Sequence, residues 1–151
     1  MKLEQLSFVG FNHFDKTFSL DLRELPDGLI ALVGPNGTGK TTALDAGLAS
    51  LYGAGVQNRA FPSREGTLHT YATERGTFID AQWHLEGVGS FRARTNVDSQ
   101  RRTMDAVLEQ ILPDGRHVPL SDGKVVTFKL AVAERFPTLR SLLASAYASQ
   151  S

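Results

Sequence analysis

The sequence predicts an α/β domain in which strands lead into a glycine-rich loop and a helix, followed by an antiparallel β-meander. Three observations predict this fold. Residues 29–33 form a continuous apolar run, typical of a strand buried on both faces. After the loop, leucines recur at the spacing of an amphipathic helix. From residue 77 to residue 112 the apolar period changes to two, which is typical of strands with one face on a core.

The composition describes one ordinary globular domain. The chain has 151 residues, of which 41% are hydrophobic and 21% charged, and this length is sufficient for a sizeable core. No uncharged apolar run approaches the roughly 20 residues that cross a bilayer, so we expect no membrane partner. The lack of cysteine excludes a disulfide framework and a thiolate zinc site and favours a cytoplasmic location. Sixteen basic and sixteen acidic side chains cancel, so total charge gives no argument for nucleic acid.

The loop carries the motif on which the functional prediction depends. Gly34, Gly39, Lys40 and Thr41 fit the pattern of glycine, any four residues, glycine, lysine, and serine or threonine. This pattern is the phosphate-binding loop, or Walker A motif, of nucleoside triphosphatases. Its glycines reach positive φ without a steric clash, so the backbone amides can turn toward the phosphates. Lys40 would contact the β- and γ-phosphates, and the Thr41 hydroxyl would bind Mg²⁺.

The predicted nucleotide site covers the whole loop and the start of the helix. ATP and Mg²⁺ are the expected cofactors, and Lys40 is an expected catalytic residue. The alternative is a glycine turn that only joins a strand to a helix. The residues expected to contact the nucleotide are Gly34, Pro35, Asn36, Gly37, Thr38, Gly39, Lys40, Thr41 and Thr42.

The segments around the loop predict further strands and the helix itself. Residues 2–9 and 17–22 are expected to be strands, the second half-exposed because its apolar and polar residues alternate. Pro26 opens a tight turn into the buried strand at 29–33. Gly53 is expected to end the helix. The expected buried face of that helix consists of Leu44, Leu48 and Leu51.

The middle of the chain predicts a loop and then a meander. Residues 53–76 combine glycine, proline and arginine without a period, and we expect a long surface loop. Strands are expected near 77–85, 91–97 and 103–111, and a turn at Pro113 would end the third one. Their alternation indicates one face on the core and one face in solvent.

The C-terminal quarter predicts a helix and a last strand. Asp122 is expected to cap a helix that ends before Pro137. Residues 138–142 predict one more helical turn. The alternation at 143–147 predicts a strand that delivers Gln150 to its end. The expected core-facing side of the helix is Val125, Val126, Lys129, Leu130, Ala133 and Phe136.

Three segments carry a resemblance to a known family. The N-terminal MKLEQLSFVGF, the loop GPNGTGKTT and the following LDAGLASLYG resemble the N-terminal ATPase lobe of SbcC-type double-strand-break repair ATPases, within the SMC and ABC-type superfamily. The resemblance implies an α/β P-loop NTPase fold of ABC/SMC head type, with N-terminal strands and an antiparallel β-meander beside the P-loop helix. Residues 1–151 would be the N-terminal half of such a head, from the Walker A loop to the Q-loop. The coiled coil and the C-terminal half would be absent.

The resemblance also implies a function. Two heads would close over two ATP molecules with Mg²⁺, and ATP hydrolysis would control the processing of double-stranded DNA ends with an SbcD-like nuclease subunit. The protein would then be cytoplasmic and nucleoid-associated. In this family the signature motif and the general base lie C-terminal to a long coiled coil. We therefore expect this chain alone to bind ATP weakly and not to hydrolyse it.

Two further site residues follow from the resemblance alone. Gln150 matches the Q-loop glutamine, which in the family contacts Mg²⁺ and the attacking water, so it is implied as a catalytic and metal-binding residue. Arg59 stands where related heads carry an arginine near the γ-phosphate, with an ordinary surface arginine as the alternative. The family usually has a basic residue after the phenylalanine of its N-terminal turn. Here Asn12 and His13 follow, and His13 either replaces that residue or is solvated.

Two other functions remain open at this stage. A nucleotide-gated DNA-binding module without its own turnover is suggested by arginines on and beyond one strand of the meander, which could follow phosphates without reading sequence. A solvated outer face is the alternative, because Asp80, Glu86 and Asp98 are near in sequence. An ABC transporter ATPase is the third interpretation, and it would need transmembrane partners. The candidate DNA-binding residues are Arg92, Arg94, Arg101 and Arg102.

Overall fold

The computed structural model describes residues 1–11, 14–26, 31–53, 68, 72 and 75–146. Within these ranges the protein combines one six-stranded sheet with three helices. The strands are β1 (Lys2–Val9), β2 (Phe18–Asp21), β3 (Arg75–Leu85), β4 (Gly89–Asp98), β5 (Thr103–Ile111) and β6 (His117–Pro119). The helices are α1 (Lys40–Tyr52), α2 (Val125–Arg135) and α3 (Leu139–Ala146).

The sheet is antiparallel throughout, with the strand order β2-β1-β3-β4-β5-β6. β1 therefore lies between its own hairpin partner β2 and the first strand of the meander. The predicted α/β fold, the two N-terminal strands and the meander are confirmed. The segment from the loop through α1 to β3 is inserted in sequence between two strands that are direct neighbours in space, β1 and β3.

One face of the sheet is buried beneath α1 and α2. The period-two alternation predicted for β3 and β4 is confirmed, because the inward positions are buried and the outward positions are only partly buried. Aromatic rings extend this core, and the centroids of Phe91 in β4 and Phe136 after α2 are 5.4 Å apart. The buried side chains of the sheet include Leu6, Phe8, Ile79, Ala81, Trp83, Phe91, Ala93 and Leu108.

Helix α1 follows the glycine-rich loop, as predicted, but it is buried on more sides than a leucine stripe implies. Leu44 is 51% exposed, which corrects the predicted face. Alanine and glycine make up more of the buried surface of α1 than leucine does, since small residues let the helix approach the sheet closely. A Cβ on Gly47 would lie 3.3 Å from Leu3 Cδ2 in β1. The buried residues of α1 are Thr42, Ala43, Asp45, Ala46, Gly47, Leu48, Ala49, Ser50 and Leu51.

The buried strand predicted at residues 29–33 is not observed in its described part. Residues 31–33 belong to no strand, and Val33 is 88% exposed. Leu29 and Ile30 lie outside the described residues. A strand forms only where a neighbouring strand supplies the partner backbone groups. The described sheet pairs β1 and β3 directly and ends at β2 and β6, and residues 31–33 pair with none of its strands.

The predicted face of α2 was wrong except for Phe136, which is buried, and the helix begins after Lys124 rather than at a cap formed by Asp122. The helix itself and its end before Pro137 are confirmed. Val126 and Leu130 are 69% and 60% exposed. Phe128 and Val132 are buried instead, together with Ala131. The helix carries apolar residues on two sides, and the side that buries the larger aromatic area packs on β5.

The last strand predicted from residues 143–147 was also wrong. Leu143 and Ser145 lie in α3, which runs from Leu139 to Ala146. Thr138 begins this helix, because its hydroxyl accepts a hydrogen bond from the Ser141 amide at 3.2 Å. Three alternating residues are too short a pattern to outweigh a cap followed by leucine and alanine. Residues 147–151 lie outside the described residues.

Strand β6 was not predicted, and its Pro119 is a residue that argues against a strand. Its three residues pair with the end of β5, from Glu109↔Pro119 to Ile111↔His117. β6 is an edge of the sheet, and a proline is tolerated there because its missing N–H can face solvent. The Pro113 turn therefore closes a hairpin between β5 and β6.

Candidate functional site

The loop between residues 34 and 39 turns tightly because two of its glycines adopt positive φ. Gly37 has a φ of 83° and Gly39 a φ of 87°, values that a side chain with a Cβ rarely adopts. Gly39 is the N-cap of α1, and the Ala43 amide donates to its carbonyl at 2.9 Å. The loop thus brings its backbone directly to the first turn of the helix, as the motif predicts.

Lys40 folds back across this loop. Its Nζ donates to the carbonyl oxygens of Gly34 at 2.6 Å and Pro35 at 2.7 Å. Thr38 braces the same turn, because its Oγ1 donates to the Pro35 carbonyl at 2.8 Å. A Cβ on Gly34 would lie 3.1 Å from Thr38 Oγ1 and 3.9 Å from Lys40 Cδ. A residue without a side chain is therefore well suited to the place where the lysine stem passes.

The electrostatics at this point favour an anion. The first turn of α1 presents the positive end of the helix dipole, and its residues are Lys40, Thr41, Thr42 and Ala43, none of them acidic. No described side chain hydrogen-bonds the cap of this helix. The ammonium of Lys40 adds a full positive charge. Together these groups form a site suited to phosphate oxygens.

The two threonines after Lys40 have different surroundings. Thr41 is exposed, so its hydroxyl can reach a bound ion beside the loop. Thr42 is buried against the core, which leaves it to contribute to a phosphate site through its backbone. A hydroxyl oxygen is an acceptable Mg²⁺ ligand. The residues present therefore fit the predicted metal, and Thr41 is the first candidate ligand among them.

The structure brings most of the predicted nucleotide-contacting residues together. The nine residues from Gly34 to Thr42 lie in one loop and one helical turn. Arg59 and Gln150 lie outside the described residues, as do Asn12 and His13. The segment that was predicted as a strand leading to Gln150 begins within helix α3. The predicted strand therefore no longer supports placing Gln150 at the nucleotide site.

The predicted arginine cluster divides into two groups. Arg92 donates to Asp80 through Nε at 2.9 Å and Nη2 at 2.5 Å, and it lies 3.9 Å from Glu109. Arg94 lies 3.2 Å from Asp80 and 5.0 Å above the Phe78 ring. The hydrogen bonds that Arg92 donates to the Asp80 carboxylate raise the pKa of Arg92. These two guanidinium groups are neutralised by carboxylates on the outer sheet face, which favours the solvated-face interpretation for them.

The other two arginines occupy the β4–β5 hairpin tip. Arg101 and Arg102 are exposed. The Asp98 carboxylate orders this turn, since its Oδ1 accepts the amides of Gln100 and Arg101 at 3.0 Å. Arg102 has a φ of 53°, in the left-handed region that a non-glycine residue seldom adopts. Asp98 comes four positions after Arg94, roughly 13 Å along β4, so the two pairs of arginines lie on different parts of the hairpin.

A polar concavity on the outer face of the sheet was not predicted. It has a volume of about 420 Å³ and lies on the side of the sheet away from α1. It is therefore separate from the phosphate-binding loop. The sequence signal was present in the outward positions of β1, β3 and β4, and Asp80 and Arg94 are direct cross-strand partners. The side chains around it include Gln5, Ser7, Ser19, Asp80, Gln82 and Arg92.

The comparisons with known proteins decide the family. A family model described as an AAA domain matches residues 1–109 of the 151. The chain belongs to this AAA domain family. The match runs from β1 into β5, so the AAA domain includes the phosphate-binding loop, α1 and the meander.

One curated relative extends the AAA domain assignment. The SbcC component of the nuclease SbcCD from Deinococcus radiodurans is 33% identical over 129 residues, which is 82% of this chain. The predicted resemblance to SbcC-type ATPases is confirmed at this level. The chain spans 13% of the length of that relative.

Among solved structures, the SMC head domain from Thermotoga maritima aligns with 78% of this chain and 39% of its own. The TM-score is 0.48 and the identity 19%, and a likeness at this level supports no conclusion. Within the described residues, no helix of this AAA domain is long and apolar enough to span a bilayer.

Proposed function

We propose that this AAA domain binds ATP with Mg²⁺ at the loop from Gly34 to Thr42. The observation that carries the proposal is the path of Lys40 across a loop with two glycines at positive φ. In this arrangement one ammonium lies beside a helix N-terminus, and the loop amides would add hydrogen-bond donors for phosphate oxygens. The family match supports the proposal, because AAA domains are ATPase domains.

Each group has a part in binding the triphosphate. The ammonium of Lys40 would exchange its two carbonyl contacts for the β- and γ-phosphates, a charge-assisted contact of higher strength. Amides from Gly37 to Thr42 would bind phosphate oxygens, and Thr41 would hold the metal, which supplies charge neutralisation at the phosphates. Gln150 is the proposed contact to the metal and the attacking water, and Arg59 is the proposed contact to the γ-phosphate.

Substitution of Lys40 tests the proposal. Lys40→Ala should abolish nucleotide retention, because a charge-assisted contact contributes about 1.5–3 kcal/mol, equivalent to roughly tenfold to hundredfold in affinity. Lys129→Ala is the matched control, since it removes the same charge from an exposed position of α2. Titration calorimetry with MgATP gives the affinities, and circular dichroism checks the fold. Unchanged ATP affinity in Lys40→Ala would remove the proposal.

The wider role follows from the relative and remains part of the same proposal. We propose an ATPase head that pairs with a second head over two nucleotides and works with an SbcD-like nuclease subunit on double-stranded DNA ends, in the cytoplasm at the nucleoid. The support is the 33% identity to a protein named as a subunit of a nuclease. Phosphate release measured for the 151-residue chain should be negligible. Steady hydrolysis by the pure chain would contradict the proposal that ATP turnover needs catalytic groups from the rest of the paired heads.

A second candidate function is DNA binding at the hairpin tip, and the conformation of Arg102 favours it. Two adjacent exposed arginines are held at a turn that costs backbone strain, and strained residues concentrate at functional sites. Such residues would contact phosphates without reading sequence. The paired arginines of the outer sheet face are weaker candidates, because their carboxylate partners would have to be displaced.

Two double variants separate these surfaces. Replacing Arg101 and Arg102 by alanine should weaken duplex binding and reduce the slope of log affinity against log salt by about 2. The matched pair, Arg92→Ala with Arg94→Ala, should leave the slope nearly unchanged. Fluorescence anisotropy at several salt concentrations measures both. A loss confined to the second pair would assign DNA binding to the outer sheet face instead.

A further inference from the structure

A buried hydrogen bond joins the phosphate-loop helix to the centre of the sheet. Trp83 Nε1 in β3 donates to Ser50 Oγ in α1 at 3.0 Å. Ser50 Oγ in turn donates to the Gly47 carbonyl at 2.6 Å. Ser50 is 0% exposed and Trp83 6% exposed. The serine hydroxyl is thus a relay from a sheet side chain to the backbone of the helix.

The donor stands on a rigid support. β3 is paired on both sides, with Leu3 of β1 and Phe91 of β4 as the direct partners of Trp83. The same region fixes how closely α1 approaches, because a Cβ on Gly47 would be 3.3 Å from Leu3 Cδ2. The glycine contact sets the distance of the helix from the sheet. The Ser50–Trp83 bond adds a directional contact that constrains the rotation of the helix and its position along its axis.

The geometry of α1 transmits this position to the loop. Lys40 lies ten residues before Ser50, roughly 15 Å along a straight helix. A tilt of about 4° at Ser50 would displace Lys40 by about 1 Å at that lever length. Displacements of that size matter where several groups must meet one ligand, and they can reduce a rate about a hundredfold. The loop itself is exposed, so its placement depends strongly on the helix that it starts.

We infer that Ser50 and Trp83 are positioning residues for the phosphate-binding loop, and that Trp83 senses its occupancy. The inference rests on the proposed nucleotide site. It adds the Ser50–Trp83 hydrogen bond as the contact that fixes where α1 places the phosphate-binding loop. Trp83 is the single tryptophan of the chain, so intrinsic emission reports this contact without a label. MgATP binding at Lys40 is expected to alter that emission through α1.

The chain offers a matched control for the serine. Ser90 Oγ lies 3.0 Å from His84 Nδ1, a second serine-to-ring hydrogen bond next to Trp83 in sequence. That bond lies on the opposite, partly exposed face and joins two strands that are already paired through their backbones. Ser90→Ala therefore removes a similar bond without touching α1.

The experiment compares Ser50→Ala, Trp83→Phe and Ser90→Ala in the 151-residue chain. MgATP affinity should fall about tenfold in Ser50→Ala, the loss expected from about 1.4 kcal/mol of positioning energy, and it should be unchanged in Ser90→Ala. Wild type and Ser90→Ala should show a change in tryptophan emission at saturating MgATP that Ser50→Ala lacks. If Ser50→Ala does not fold, Trp83→Phe takes its place, because it removes the same hydrogen bond without leaving a buried indole N–H unpaired. The MgATP affinity of Trp83→Phe should then fall by the same factor.

The possible failures are distinguishable. Wild-type affinity and a wild-type emission change in Ser50→Ala, or wild-type affinity in a folded Trp83→Phe, would overturn the inference while Lys40→Ala still loses nucleotide. Equal ATP affinity in wild type and Lys40→Ala would instead overturn the proposed nucleotide site, and this inference with it. An emission change that persists in Lys40→Ala would show that Trp83 senses something other than the loop.

Discussion

Gly10 ends β1 at a point where neither its backbone nor its neighbour leaves room for a side chain. Its φ is 84°, and a Cβ there would lie 2.0 Å from Thr77 Oγ1 in β3. Thr77 is buried, so it cannot swing into solvent. The next residue, Phe11, is buried and forms an isolated bridge with Ala72. Gly10 therefore controls how the chain leaves β1.

Alanine substitution at two glycines separates backbone strain from steric clash. Gly10→Ala should lower the free energy of unfolding by about 3 kcal/mol, because it combines a left-handed backbone with overpacking. Gly115 has the same φ of 84° with nothing within 4 Å of a Cβ, so Gly115→Ala should cost only about 1 kcal/mol. Urea denaturation measures both. Equal losses would mean that Thr77 moves aside.

At the residue scale, the sequence predicts what a motif encodes and little of what depends on long-range contacts. The glycines and Lys40 of the loop were predictable, because fixed spacing and φ requirements are local properties. The Ser50–Trp83 bond was not, since it joins residues 33 apart and depends on how α1 lies on the sheet. The pairing of Arg94 with Asp80 could have been predicted from the β3–β4 register around its glycine turn.

Helix α1 is also tied at its last residue. Tyr52 donates its hydroxyl to the Pro137 carbonyl at 2.6 Å, which connects the end of α1 to the segment between α2 and α3. Burial raises the pKa of Tyr52, because the phenolate would lose its hydration. The two helices that follow the sheet are therefore positioned partly from the P-loop helix.

Tyr52→Phe should destabilise the protein by about 1 kcal/mol at neutral pH, the usual net contribution of one hydrogen bond. The wild type should also lose stability as pH rises above about 10, the unfolded-state pKa of tyrosine. A raised folded-state pKa means that the unfolded chain ionises first. Thermal unfolding between pH 7 and 11 tests both effects. The prediction fails if the variant and the wild type have the same midpoint throughout.

At the element scale, the buried faces of the meander strands were predicted better than the buried faces of the helices. Alternation fixes which side of a strand is buried, and β3 and β4 follow it. In α2 the apolar residues occupy two sides, and the choice between them depends on area available at β5 rather than on the local pattern. The apolar run at 29–33 shows the same limit, since a strand requires a partner that local sequence does not reveal.

At the scale of the whole molecule, charged side chains of the described residues make the stability depend on pH. Hydrogen bonds lower the pKa of three exposed carboxyl groups. For Asp21 the main donor is the Arg23 guanidinium, for Asp114 the Arg116 amide, and for Asp122 the Thr127 hydroxyl. Each carboxylate is therefore favoured in the folded chain relative to the unfolded chain.

Between about pH 5 and pH 3 these three carboxylates should make the stability decline as the pH falls. The unfolded chain takes up protons near the ordinary aspartate pKa of about 3.9, before the folded chain does, so the stabilising effect is lost on acidification. Urea midpoints measured across this range test the sign. Asp122→Asn should flatten part of the decline, because its side chain no longer titrates. A midpoint that rises on acidification would contradict the assignment.

At the scale of the whole molecule, the main elements were predicted, but the order in which the strands pair was not. Two N-terminal strands, a P-loop helix and a meander were predictable because each has its own period and its own turn signals. The placement of β1 between β2 and β3 was not, because pairing order depends on contacts across more than seventy residues of sequence.

The two margins of the sheet also bear on how the protein behaves at high concentration. β2 has four residues and β6 three, and Pro119 removes one of the amide groups that an incoming chain would need. In the described sheet a second molecule therefore finds no long ladder on which to add a strand. Fibrillar assembly through these margins should be disfavoured, and the folded protein should resist seeding.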